Sequence, residues 1–294
     1  KQITMKKNEI SNLLNINNDK NLTQTEKDII VGTILGDGHI RCINNKDSFN
    51  LTYGYSNKIY AEFVLQQLIR LSNYSIPKMT KSLDIRYNKE RIAYRFGLLI
   101  NPSFIPFGNL FLKPYEKDGK ISHIKVLPTF EILFELITPQ ALAFWIMDDG
   151  QEVKRGGITL CTDNFTYEEV QLLKSLLETK YNFTCTIHKK LNKTNTKLYY
   201  RIYISGKDLP LLSSLVKEYM CPSMLYKIQY NIKPQIPLSL TKKNIKAREE
   251  RARLRLWKAA HGSDKLPPKK IKILSMTPKA IKAREKRAHI KKII

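Results

Sequence analysis

Ile30-Val31-Gly32-Thr33-Ile34-Leu35-Gly36-Asp37-Gly38 and Leu142-Ala143-Phe144-Trp145-Ile146-Met147-Asp148-Asp149-Gly150 are two altered copies of one pattern. Each is an apolar run too short to cross a membrane but long enough for two buried helical turns, and each is stopped by an acid and a glycine. Glycine suits a helix end because it can adopt a left-handed backbone. The acid is out of place, since a carboxylate at a helix C-terminus faces the negative end of the helix dipole and costs about 0.3–1 kcal/mol. Singly, each copy reads as a buried helix closed by an Asp-Gly turn. Together they predict one shared site. With the two helices side by side, Asp37 and Asp149 converge, and adjacent carboxylates need a divalent cation or a proton between them.

The 294 residues, 42% of them hydrophobic, suffice for one large domain or two smaller ones. A net charge of +25, from 51 basic and 26 acidic residues, calls for a polyanionic partner: nucleic acid first, an anionic membrane surface second. Cys42, Cys161, Cys185 and Cys221 form no C-x-x-C pair, and His39, His123, His188, His261 and His289 show no ligand spacing. Reduced thiols are expected, not a disulfide frame or a zinc site. No segment approaches a membrane span, so no membrane partner is expected, and the first residues lack the apolar stretch of a signal peptide. The chain begins with Lys, so a natural start upstream is expected. Heavy use of Lys, Asn, Ile and Tyr, which A/T-rich codons specify, suggests a mitochondrial or other organellar gene.

Outward from the motifs, residues 1–22 read as a polar arm, and Thr23 to Glu26 as the capped start of a helix running to Gly38. A hairpin over Ile40–Tyr55 turns at Asn44-Asn45-Lys46-Asp47, and a helix spans Ile59–Leu71. A second hairpin, Met79–Tyr87 with Ile92–Ile100, precedes a short helix over Phe104–Phe111 broken by Pro106. After Gly150 come strands at Gln151–Lys154 and Gly157–Thr162, and a helix at Tyr167–Tyr181. A hairpin follows, Thr184–Leu191 with Leu198–Ile204 turned near Asn195, then a helix over Leu209–Tyr219. Both halves give the string αββαββα. The expected fold is therefore an α+β pseudo-twofold monomer, with halves at 23–128 and 129–235 and antiparallel sheets forming a concave nucleic-acid-binding saddle.

The two motifs, with His123-Ile124-Lys125-Val126-Leu127-Pro128 and Met224-Leu225-Tyr226-Lys227, resemble the LAGLIDADG homing endonucleases, specifically the two-motif monomers, over about residues 25–230. The resemblance implies site-specific hydrolysis of double-stranded DNA, with Asp37 and Asp149 as the metal ligands and Gly36 and Asp148 presenting backbone carbonyls. The Asp148 side chain would ligate or face solvent or DNA. Mg2+ is the hard, oxygen-seeking ion that fits such donors. Lys125 and Lys227 would hold solvent near the scissile phosphates; without the resemblance they read as two more surface lysines. Phe144 and Trp145 read as core by themselves; they stand where the family carries Gly and Leu, so looser helix packing is expected at that level.

Two-stranded ribbons can enter a major groove and present alternate side chains to base edges. The candidates are Arg41, Lys46, Lys81, Arg86, Arg91, Arg95, Lys154, Arg155, His188, Lys190, Lys193, Lys197 and Arg201, each of which alone reads as an exposed charge or phosphate contact. Residues 236–294 form a basic extension; from Leu240 on, it holds 19 Lys and Arg against 4 Asp and Glu. In it Leu238–Glu249 returns as Leu274–Glu285. Thr241 and Thr277 would cap two helices, with Arg248, Arg251, Arg284 and Arg287 toward a phosphate backbone; a solvated tail is the alternative. The competing function is an RNA-binding protein on the same fold, as an intron maturase on group I intron RNA or a part of an organellar ribosome.

Overall fold

The computed structural model describes residues 22–43, 48–84, 88–154, 156–192 and 194–229, together with 246, 247, 250 and 251. The chain divides into two units, Lys1–Lys233 and Pro234–Ile294. In the second, the four described residues are helical and Arg251 is exposed. Of the tandem repeat only Lys246 and Ala247 are described; its other residues, and Lys46, Arg86, Arg155, Lys193, Arg248, Arg284 and Arg287, lie outside the described residues.

The first unit opens with α1 (Gln24–Leu35), β1 (His39–Cys42), β2 (Phe49–Tyr55), α2 (Lys58–Gln67), β3 (Lys78–Asp84), β4 (Lys89–Gly97), α3 (Ile105–Phe111), β5 (Leu112–Lys117) and β6 (Lys120–Lys125). It continues with α4 (Phe130–Leu136), α5 (Pro139–Asp149), β7 (Gly150–Glu152), β8 (Ile158–Leu160), α6 (Tyr167–Tyr181), β9 (Cys185–Leu191), β10 (Leu198–Ile204), α7 (Leu209–Val216) and a 3-10 turn at Pro222–Lys227. Two four-stranded antiparallel sheets, ordered β1-β2-β4-β3 and β7-β8-β10-β9, repeat one topology. The hairpin β5-β6 stands apart as a third sheet.

Helices α1 and α5 form the centre, and their residues from Ile29 to Leu35 and from Ala141 to Met147 are buried. Each start is fixed by its cap. The Thr23 hydroxyl accepts from Glu26 N while Glu26 accepts from Thr23 N, and Thr138 accepts from Ala141 N ahead of a helix that begins with Pro139. Gly32 brings the two backbones into contact: a Cβ there would lie 2.2 Å from the Ala141 carbonyl oxygen and 2.8 Å from Phe144 Cβ. A side chain at 32 would overpack the seam, at about 1–3 kcal/mol or more.

This corrects the expectation of loose packing at Phe144 and Trp145. The glycine on α1 makes the room, Phe144 stacks on Phe63 at 6.0 Å, and Trp145 is fully buried. Three further expectations change. Helix α1 stops at Leu35, so Asp37 lies beyond it, whereas α5 runs through Asp149. Pro106 sits in the first turn of α3 and starts that helix instead of breaking it. Between α3 and α4 the chain adds the hairpin β5-β6, turned at Asp118-Gly119 with φ of 51° and 70°, so the first half exceeds the expected αββαββα by two strands, the second of which ends at Lys125.

Among the described residues no single helix is long and apolar enough to cross a membrane. The pair α4 and α5, bent by 94°, passes on length and composition, but the face α5 presents is the buried seam with α1.

Candidate active site and nucleic-acid interface

The ends of α1 and α5 set the chemistry. Both lysines close them in the same way. Lys125, delivered by β6, donates to the Ile34 carbonyl at 2.6 Å and reaches Gly38 O at 3.5 Å. Lys227, delivered by the last 3-10 turn and 7% exposed, donates to the Met147 carbonyl, with Ile146 O at 3.3 Å and Asp148 O at 3.4 Å. A cation on the last carbonyls of a helix answers its dipole. Thus each lysine offsets what the acid at the same helix end costs. Burial pulls both ammonium groups below their ordinary range, against the attraction of the Asp37, Asp148 and Asp149 carboxylates.

The three acids differ. Asp37 is exposed, yet desolvation raises its pKa against the pull of Lys227 and Lys125. Asp149 is pushed up to about 7 by burial and then by the Asp37 charge, with the two lysines opposing. Asp148 goes furthest, well above the carboxylate range, through burial and repulsion from Asp37. Its side chain corrects the expectation that it would ligate or face solvent or DNA. Oδ1 accepts from the Tyr60 hydroxyl at 2.6 Å and Oδ2 from the Asp37 amide at 2.9 Å.

Among the described residues no three His, Cys, Asp or Glu side chains group as a metal site. Two carboxylates raised by burial, Asp149 also by the Asp37 charge, beside backbone carbonyls, suit a hard divalent ion of the Mg2+ type. Such an ion is commonly held by one or two carboxylates and completes its shell with water and substrate phosphate. Asp37 and Asp149 therefore fit the group that the fold family implies.

Each acid opens onto its own sheet. A groove of about 1090 Å³ over the first sheet is lined by Asp37, His39, Arg41, Lys78 and Arg95, with Asn50, Thr52 and Thr80 between them. Burial by Leu51, Tyr53 and Tyr55 of one face of β2 leaves the other to these polar groups. Arg95 donates to Thr80 Oγ1 at 3.2 Å. The register puts Arg91 on this face and Lys81 on the opposite one, beside Met79 and Leu83, where it pairs with Glu90 at 2.8 Å. Lys81 is thereby corrected as a groove residue.

Over the second sheet a cavity of about 580 Å³ is lined by Asp148, Asp149, Gln151, Glu152, Cys161, Arg201, Tyr226 and Lys227. Arg201 lies on the expected face but is engaged: Nε and Nη2 meet Asp163 at 2.6 and 2.5 Å, and Nη1 meets Gln151 at 3.3 Å. His188 stacks on Tyr203 at 5.1 Å, the Lys197 ammonium lies 5.1 Å from the Tyr199 ring centre, and Lys190 pairs in register with Tyr199 on the same face. Lys154 is exposed in the β7-β8 turn. Reading the sequence missed Lys78, Asn50, Thr52 and Thr80, which strand parity could have found, and Tyr60 and Asp163, which no local signal marks.

The sequence model of the LAGLIDADG DNA endonuclease family matches residues 27–212. A probable intron-encoded endonuclease 1 of Wickerhamomyces canadensis is 29% identical over 72% of this chain and 87% of its own length. The cytochrome b mRNA maturase bI2 of Saccharomyces cerevisiae is 34% identical over 68% of this chain and 46% of its own. The solved structure of the homing endonuclease I-WcaI bound to its DNA recognition sequence aligns with a TM-score of 0.61 at 28% identity, covering 72% of this chain and 88% of that one. With two motif helices seamed at Gly32, an acid at the end of each and a sheet beside each acid, the chain belongs to the LAGLIDADG DNA endonuclease family.

Proposed function

We propose that the protein is a monomeric, site-specific double-strand DNA endonuclease of the intron-homing type, acting with Mg2+ through Asp37 and Asp149. The observation that carries this reading is the paired arrangement at the seam: two carboxylates at the ends of α1 and α5, each beside a lysine that donates to the last carbonyls of that helix. Mg2+ bound there would supply Lewis-acid stabilisation of the phosphate and leaving oxygens. Asp37 and Asp149 would hold it, with the carbonyls of Gly36 and Asp148 alongside. Lys125 and Lys227 keep positive charge at the floor of the site, where negative charge develops on the phosphates in the transition state. The first sheet, with Arg41, Lys78, Arg91 and Arg95, and the second, with His188, Lys190 and Lys197, supply phosphate and base contacts.

The test is cleavage of a DNA library of intronless alleles in Mg2+, beside the same reaction in Ca2+. Discrete double-strand cuts in Mg2+ alone support the reading; binding without cuts in either ion counts against it. A second reading, assistance to intron RNA splicing, is favoured by the similarity to cytochrome b mRNA maturases. Tight binding to group I intron RNA is its observable. The same relatives support a mitochondrial gene and location.

A further inference from the structure

The two motifs are not held alike, and the difference lies in the residue before each acid. In the first motif it is Gly36, and a Cβ there would lie 2.4 Å from Asp148 Cβ and 2.6 Å from Asp148 Oδ2. The missing side chain is therefore the space through which the Asp148 carboxylate reaches across the seam to the Asp37 amide. In the second motif the equivalent residue is Asp148 itself, and Asp149 needs no such hold because it is still inside α5. Asp37 has left its helix two residues earlier.

What fixes Asp148 is Tyr60. Its hydroxyl is 2.6 Å from Oδ1, leaving Oδ2 for Asp37, and its ring is 1% exposed and packed at 4.7 Å on Tyr55. Tyr60 is the third residue after the α2 cap Asn57, a position at which α6 carries its capping-box glutamate, Glu169. One site thus closes its helix start, and the other faces the seam.

We propose that Tyr60 is a positioning residue for the first-motif acid, holding Asp37 in place for the metal through Asp148. This rests on the metal-binding role of Asp37 in the proposed function. The hydroxyl acts at two removes. It sets the carboxylate orientation, the carboxylate holds the backbone amide, and the amide sets where the Asp37 side chain points. Tyr60 itself lines neither groove, so loss of its hydroxyl removes no side chain from the DNA-facing surface.

The experiment measures metal affinity without DNA, by Tb3+ luminescence at the protein with Mg2+ and Ca2+ as competitors, in parallel with melting temperature and single-turnover cleavage. The variants are Tyr60→Phe, Asp148→Asn, their double and Tyr53→Phe. Tyr53 is the control because its hydroxyl is buried in the same layer, while the hydrogen bonds to the Asp148 carboxylate come from Tyr60 and Asp37. Asn at 148 keeps the shape but offers one acceptor oxygen in place of two. Tyr60→Phe and Asp148→Asn should each weaken metal binding about tenfold. The double should be no weaker than Asp148→Asn alone, since one chain of contacts is broken once. Tyr53→Phe should match the wild type. Wild-type metal affinity in Tyr60→Phe, or an equal loss in Tyr53→Phe, overturns the proposal. If the wild type binds metal with the expected pattern among variants but cuts no DNA, the positioning role stands and the nuclease reading falls.

Discussion

The two halves of the first unit carry the same chemistry and unlike surfaces. Each ends a buried helix at an acid, and each brings a lysine onto that helix's last carbonyls. The deliveries differ: an added hairpin carries Lys125, and a 3-10 turn carries Lys227. The sheets differ more. In the first groove Asp37 is the one acid among the described lining residues, beside Arg41, Lys78 and Arg95, whereas in the second Arg201 is neutralised by Asp163, Glu152 lines the wall, and Tyr199 and Tyr203 carry aromatic surface. Catalysis is constrained to be twofold because two strands must be cut by like geometry. Recognition has no such constraint, and the target should be asymmetric, with the first half gripping phosphates more strongly.

The largest effect expected is at the shared acids. Asp37→Asn or Asp149→Asn should lower cleavage at least about a thousandfold, comparable to losing a principal transition-state contact, with DNA affinity in Ca2+ held within a few fold. A variant of either residue that still nicked one strand at the wild-type rate would show that the halves act independently. Next, Lys125→Met and Lys227→Met should each reduce single-turnover cleavage about a hundredfold and lower the melting temperature, because the helix ends lose their caps. A drop in only one of the two would break the catalytic equivalence of the halves.

At the sheets the expected effects are smaller and opposite in kind. Arg95→Ala should weaken DNA binding and reduce its salt dependence by about one unit of slope. Arg201→Ala should leave that slope unchanged and instead cost stability, as it strands the Asp163 carboxylate. Equal salt slopes for the two variants would remove the proposed difference.

The smallest effect is on the metal-free protein. Asp149 has a folded-state pKa near 7 against 3.8 as an unperturbed group, so the folded state binds its proton more tightly than the unfolded state. The stability associated with that proton is lost as pH rises from about 4 through 7. Asp149→Asn removes the ionisation and should raise the metal-free melting temperature by a few degrees at pH 8, with the gain shrinking toward pH 5. Scanning calorimetry at both pH values is the check.

What the sequence disclosed followed from periodicity and caps. The bounds of α6, Tyr167–Tyr181, were legible because Thr166 and Glu169 form a capping box ahead of a 3.6-residue apolar repeat. The pairing of α1 with α5 was legible because the acid-glycine stop occurs twice. The hairpin β5-β6 was not, since β5 is exposed for most of its length, β6 for half of it, and neither shows apolar alternation, although Asp118-Gly119 is an ordinary hairpin signal. Lys81 was placed in the groove by its charge alone, although it shares the face of Met79 and Leu83 by the period-2 alternation of its strand. The Arg201–Asp163 pair and the Tyr60–Asp148 contact span 38 and 88 residues, and nothing local marks either.

The most direct measurement is single-turnover cleavage of the library-selected target by the wild type and by Asp37→Asn, each in Mg2+ and in Ca2+. The account predicts paired cuts on both strands by the wild type in Mg2+ alone, and bound but uncut DNA in the other three reactions. Cleavage by Asp37→Asn at the wild-type rate, or wild-type cleavage that does not depend on the ion, would contradict it.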